Sequence, residues 1–235
     1  MIGINCQTLD SLQPLQEDFF DDDVEAVARA LVGAFLFNVD EHGAPIGGRI
    51  VETEAYCQSD PAAHCFGDKR APGKRVPRRF FDSMYLAGGH VYVYKDGPQY
   101  CYLNLTCGNL EYGSAVLIRA IEPCMDSIDR MKDRRLRFVK SISDAELDQK
   151  LCSGPIRLSQ ALGIESGMDG IPISKTSLRL FSSKERPEIV CGPRVNVTRG
   201  LDIARRYAMQ GSLFVSERGN KRYPLSTEQC ERTAG

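Results

Sequence analysis

The spacing of hydrophobic and polar residues changes several times along the chain, and each change predicts an element. Val24, Ala28 and Leu31 recur at helical spacing directly after Asp21-Asp22-Asp23. This predicts an amphipathic helix whose free N–H groups are capped by carboxylates. Residues 34–39 then read as a strand, with Glu41-His42-Gly43 as the following turn. Residues 48–56 form a second strand, where a period of two puts Glu52, Glu54 and Tyr56 on one face and Val51, Thr53 and Ala55 on the other. Two carboxylates sharing a strand face fit either a solvent face or a built site. Residues 57–86 are rich in Pro, Gly and basic side chains and read as a long connection, a kind that is usually functional or disordered.

Three more strands follow at residues 90–94, 99–106 and 115–121. Alternation groups Tyr92 with Tyr94, Tyr100 with Tyr102 and Asn104, and Leu117 with Arg119. Asp96-Gly97-Pro98 marks a tight turn between the first two. After Pro123, residues 125–139 predict a basic helix and 144–150 a short one, and Ser153-Gly154-Pro155 opens a third that Gly163 closes after Leu162. Short strands and turns are expected beyond it, ending in a strand at 211–215, with a frayed tail from Ser216. With no repeat or break in composition, the pattern predicts one α+β domain over residues 1–235 with its core at about 19–215: a curved, mostly antiparallel sheet flanked by helices.

Composition narrows the class. Of 235 residues, 42% are hydrophobic and 26% charged, as in ordinary globular chains, and no apolar run approaches the roughly 20 residues a membrane helix needs. The first sixteen residues show neither a basic n-region nor an apolar h-region, so an intracellular protein is expected, in the cytoplasm or nucleoid of a bacterium or the nucleus of a eukaryote. The nine cysteines are odd in number and include no Cys-x-x-Cys pair, which predicts free thiols rather than a disulfide framework. Cys57, His64 and Cys65 lack a second ligand pair at finger spacing, so no metal site is expected.

A net charge of −1 argues against non-specific coating of nucleic acid, yet basic residues cluster. Lys69, Arg70, Lys74, Arg75, Arg78 and Arg79 have no acidic residue among them, and six more basic residues between Arg130 and Lys140 face Asp133 alone. Such runs fit solvated faces or phosphate contacts. Arg119 lies inside the apolar run Ala115-Val116-Leu117-Ile118-Arg119-Ala120-Ile121, where a guanidinium needs an acceptor; Glu54 or Glu52 is the natural partner. Such a pair is either structural or holds a water. The tyrosines on the strand faces fit core packing, or a slot that stacks on a flat ring.

These residues carry a resemblance. Arg49-Ile50-Val51-Glu52-Thr53-Glu54-Ala55-Tyr56 followed by Ala62-Ala63-His64 resembles the active-site strand and loop of the alkyladenine (3-methyladenine) DNA glycosylase family. Tyr92-Val93-Tyr94, Asn104, the run from Ala115 to Pro123, Leu151-Cys152-Ser153-Gly154-Pro155 and Ala161-Leu162-Gly163-Ile164 follow in that family's order, so the likeness covers about Phe19 to Val215. It implies a monofunctional glycosylase acting in base excision repair, excising alkylated or deaminated purines such as 3-methyladenine and hypoxanthine by water attack, with no cofactor and no covalent intermediate. Position by position it implies Glu54 as general base, Arg119 as the residue holding the water, Tyr56, His64 and Tyr94 as walls around the base, Asn104 as the residue disfavouring guanine, and Leu117 packed beside them. Its partner would be damaged duplex DNA, or single strands, met by a monomer, with Lys69, Arg70, Lys74, Arg75, Arg78 and Arg79 toward the backbone.

Two departures stand out. The position aligned with the bulky side chain that family members insert into the duplex is Gly97, followed by Pro98. Either Pro98 or Gln99 serves as a poorer wedge, or the substrate is weakly stacked, or the pocket outlived duplex catalysis in a binding protein. Tyr56 and His64 are also eight positions apart where nine is common in the family. Readings from other classes are a non-catalytic nucleic-acid-binding module and an enzyme for a small formyl- or nucleoside-type substrate.

Overall fold

The computed structural model describes residues 12–68, 80–139, 150–217 and 220–232. Helix α1 (Val24–Leu31) starts where expected: the Asp23 side chain accepts from the Glu25 amide, and Val24, Val27, Ala28 and Leu31 are buried. Strands β1 (Phe35–Val39) and β2 (Pro45–Cys57) pair antiparallel, and β3 (Val91–Asp96), β4 (Tyr100–Thr106) and β5 (Ser114–Pro123) follow. The expected basic helix divides into a 3-10 turn, Met125–Ser127, and α2 (Ile128–Leu136). Helix α3 (Pro155–Leu162) ends at Gly163, whose φ of 69° is the left-handed conformation glycine adopts without penalty. Three short strands, β6 (Leu178–Phe181), β7 (Ile189–Gly192) and β8 (Arg206–Met209), and α4 (Thr227–Arg232) complete the chain. The short helix expected at 144–150 falls almost wholly outside the described residues.

All strands join one antiparallel α+β sheet in the order β3-β4-β5-β2-β1-β6, with β8 joining β2 and β7 pairing β8. Strand β2 organises it. Along one edge it pairs with β5 over almost its full length, while along the other it pairs first with β1 and then, from Glu52 to Glu54, with β8. One apolar cluster unites α1, the sheet and α3; a smaller one around Cys65, Phe81, Met84, Tyr85 and Tyr92 lies behind the tyrosines Tyr56 and Tyr94.

Three expectations fail, two of them beyond residue 200. The strand lies at Arg206–Met209 rather than 211–215, because Arg206 to Ala208 pair with both β2 and β7 while Gly211, at φ 74°, turns the chain. The tail is not frayed from Ser216: Ser216 and Tyr223 are buried, and α4 packs on β7. The cysteines are not all free, since Cys191 and Cys230 form a disulfide between β7 and α4, and Cys124 is also disulfide-bonded. Among the described residues Cys57, Cys65, Cys101, Cys107 and Cys152 are thiols.

Candidate active site

The site forms where β2 and β5 lose register. Ile50 pairs with Ile121, Glu52 with Ala120 and Thr53 with Ile118. Two bulges compensate each other here: Val51 is the extra residue on β2, and Arg119 the extra residue on β5. A bulge re-aims the side chain it carries, and this one places a buried guanidinium between two carboxylates of the neighbouring strand.

Arg119 donates from Nε to Glu52 Oε1 at 3.0 Å, from Nη1 to Glu54 Oε2 at 3.2 Å and from Nη2 to Ser216 Oγ at 3.1 Å. Glu52 and Glu54 are fully buried, so their face is not a solvent face. Glu52 is saturated: its Oε1 also accepts from Arg206 Nε at 2.6 Å and from Ser216 Oγ at 2.9 Å, and its Oε2 from the Ser216 amide at 2.7 Å. Burial pushes the Glu52 carboxyl up, but Arg119, Arg206 and Ser216 outweigh it and hold the group below its ordinary value. Burial also opposes the charge on Arg119, and the nearby Glu54 and Glu52 carboxylates overcome it and raise its pKa.

Glu54 is less crowded. Its Oε2 accepts from Tyr56 OH at 2.7 Å as well as from Arg119, and its Oε1 accepts from the Val195 amide at 2.8 Å. A carboxylate offers about four acceptor sites, so one remains, and Arg119 has used three of its five N–H groups. Burial, then the Glu54 charge, push the Tyr56 phenol well above its ordinary value and keep it a donor. Such a carboxylate and guanidinium can together bind a small polar molecule such as water.

A cleft of about 870 Å³ opens above this pair, lined among others by Tyr56, His64, Tyr94, Asn104, Leu117 and Arg119. The sheet and the turn after β2 that carries His64 bring the pocket residues expected from the sequence to one cleft. The Arg194 guanidinium sits 4.8 Å from the Tyr56 ring centre, leaving one face of that ring for a ligand. Opposite, His64 packs on Tyr94 with centroids 4.4 Å apart, and its Nδ1 lies 2.9 Å from Tyr92 OH. His64 keeps an exposed edge, while its partial burial lowers the imidazole pKa from 6.5. Asn104 Nδ2 donates to the Tyr92 and Tyr102 carbonyls at 3.1 and 3.0 Å, which fixes the amide against the hairpin.

Several residues of the site were not foreseen. Ser216, Arg206, Val195 and Arg194 arrive from the last third of the chain. Arg194, fully buried, donates to the Ala55 carbonyl and pairs with Asp60, holding the loop that carries Val195 against β2. Arg206 opens β8 directly after Arg205, and no local pattern of the sequence marks it as buried. The hairpin between β3 and β4 turns through Gly97, Pro98 and Gln99, with Gly97 at φ 68° and open space around it. Lys69, Arg70, Lys74, Arg75, Arg78 and Arg79 lie outside the described residues. Among the described residues, no three His, Cys, Asp or Glu side chains group to hold a metal ion, and no helix is long and apolar enough to cross a membrane.

Comparison with known proteins decides among the classes the sequence left open. A model of the methylpurine-DNA glycosylase (MPG) family matches residues 18–213. A protein of Agrobacterium fabrum provisionally named a 3-methyladenine DNA glycosylase is 40% identical over 203 residues, covering 86% of this chain and 92% of the relative. Proteins of the same provisional name from Rhodopseudomonas palustris HaA2 and Nitrosospira multiformis are 37% and 38% identical, covering 86% and 81% of this chain and 90% and 87% of theirs. With the family's motifs on one continuous cleft, this chain belongs to the methylpurine-DNA glycosylase family and is a DNA glycosylase of the 3-methyladenine type.

Proposed function

We propose that Glu54 and Arg119 hydrolyse the bond between deoxyribose and a damaged purine that has been rotated out of DNA into the tyrosine-lined cleft. The observation that carries this reading is the unsaturated Glu54 carboxylate, buried at the cleft floor with Arg119 N–H groups to spare. A water accepting from Arg119 and donating to Glu54 is both oriented and activated. As its oxygen bonds to C1′ of the sugar, the C1′–N bond breaks, its electron pair leaves with the base, and a water proton passes to Glu54. A base alkylated on the ring is cationic before cleavage and departs neutral, so 3-methyladenine needs no acid. Deaminated purines of the hypoxanthine type are the neutral substrates of the same pocket.

The remaining roles follow from position. Tyr56 on one side and His64 with Tyr94 on the other stack on the base. Asn104, pinned by two carbonyls, limits room for the exocyclic amino group of guanine, and Leu117 packs beside the sugar. The protein acts as an intracellular monomer on damaged duplex and on single strands, using neither metal nor organic cofactor. Incubation with alkylated DNA, followed by chromatography of what is released, tests this reading: the wild type liberates free base and Glu54→Gln does not, although it still binds the lesion. Undiminished release by Glu54→Gln overturns the assignment.

A further inference from the structure

Rotating a nucleotide out of a duplex leaves a gap in the base stack, and proteins that hold this state fill it with an apolar or aromatic side chain. Gly97 offers no side chain at the hairpin tip, and its left-handed backbone disfavours any other residue there. The ladder between β3 and β4 offers another. Its antiparallel pairs Tyr92–Asn104, Tyr94–Tyr102 and Asp96–Tyr100 lie on one face, because directly opposed residues share a side of the sheet. The inner pairs line the cleft and the outer pair stands at its rim. Tyr100 lies four residues, about 13 Å, along β4 from Asn104.

Tyr100 also lines the cleft and is 44% exposed, and its side chain has no ring or hydrogen-bond partner among the described residues. Phe80 and Phe138 are also exposed near the cleft, but the Phe80 ring is packed on His64 and Tyr94, at 5.1 and 5.5 Å, and Phe138 follows α2 rather than sitting on the β3–β4 hairpin. Beyond the hairpin a second groove of about 420 Å³ shares Gln99, Phe138 and Gln160 with the cleft. Arg130, Arg134 and Arg137, one face of α2 and its C-terminal end, line this groove. Asp40, Glu41, Asp133 and Glu165 line the same groove, with Arg130 paired to Asp40 and Arg134 donating to the Leu162 carbonyl, so the groove is of mixed charge.

We propose that Tyr100 is the side chain that enters the duplex and stacks in the gap left by the rotated nucleotide, replacing the missing side chain at Gly97. This rests on the excision reading above, and the test separates the two. Single-turnover excision is measured on one alkylated sequence as duplex and as single strand, for wild type, Tyr100→Ala and Tyr100→Phe, with 2-aminopurine beside the lesion to report unstacking. Tyr100→Ala should lose roughly 5- to 150-fold on duplex, the equivalent of one stacked ring. Its single-strand rate should stay within about twofold, its unstacking signal should fall, and Tyr100→Phe should behave as wild type. An equal loss on both substrates, or no loss on duplex, overturns the proposal. A wild type that releases no base from either substrate refutes the excision reading instead.

Discussion

Arg119 Nε and Glu52 Oε1 meet at 3.0 Å in a fully enclosed pair, yet Glu52 does not reach the open part of the cleft. Glu52 binds Arg206 and both donors of Ser216 with the same carboxylate, so it works as an anchor. It fixes one side of the guanidinium, and the other side then faces Glu54. The two carboxylates that alternation places on one strand face thus divide the work: one holds Arg119, and the other remains free to take a water.

Removing that anchor should be expensive. Glu52→Gln leaves Arg119 and Arg206 short of a counter-charge, and breaking a buried pair costs about 3–5 kcal/mol. The carboxyl is held below its ordinary value of 4.5, so its stabilisation is complete above pH 4.5 and is lost as pH falls through the lower folded value. Thermal melts should show the wild type losing stability more steeply below pH 4.5 than Glu52→Gln. Parallel pH profiles would contradict the role given to Glu52.

Much of this arrangement was legible in the chain. Strict alternation placed Glu54 and Tyr56 together, and a lone arginine in an apolar strand required a buried acceptor. The double acceptor was not legible, because it depends on the bulge at Arg119, which no local pattern records. Nor were Val195 and Ser216, whose contacts with Glu54 and Glu52 span 141 and 164 residues. The C-terminal segment read as a tail because its order comes from packing: Tyr223 is buried against the site's loops, and α4 has only six residues.

Tyr56 should matter through its hydroxyl as well as its ring. Tyr56→Phe keeps the stacking surface and removes a 2.7 Å donor to Glu54. Hydrogen bonds to charged groups contribute about 1.5–3 kcal/mol, so kcat should fall roughly 10- to 150-fold. Affinity for lesion DNA should change only a few-fold. A loss confined to binding would mean that the phenol serves the wall alone.

The Cys191–Cys230 bond ties α4 to β7 across 39 residues. Cys230→Ser should lower stability by about 2–4 kcal/mol in chemical denaturation, and reductant, which also opens the bond of Cys124, should lower that of the wild type at least as far. Identical unfolding curves with and without reductant would show that the bond contributes nothing.

With His64 in the wall of the proposed base pocket, base preference should depend on pH. Its partial burial lowers the imidazole pKa from 6.5, so the ring is neutral at pH 7 and gains charge only in more acidic solution. Below that pKa a cationic purine meets a cationic wall, whereas a neutral one does not. The ratio of 3-methyladenine to hypoxanthine excision should therefore fall as pH is lowered below 6.5, and His64→Gln should flatten it. A ratio independent of pH in the wild type would remove His64 from the wall.

The proposed hydrolysis depends most on the open acceptor site of Glu54. Single-turnover release of 3-methyladenine by Glu54→Gln, alongside its affinity for duplex carrying an abasic-site analogue, tests that directly. A positioned general base contributes about 10²–10⁴-fold. The variant should lose at least about 100-fold in rate with unchanged affinity and an unchanged melting profile. Excision within threefold of wild type would contradict the account.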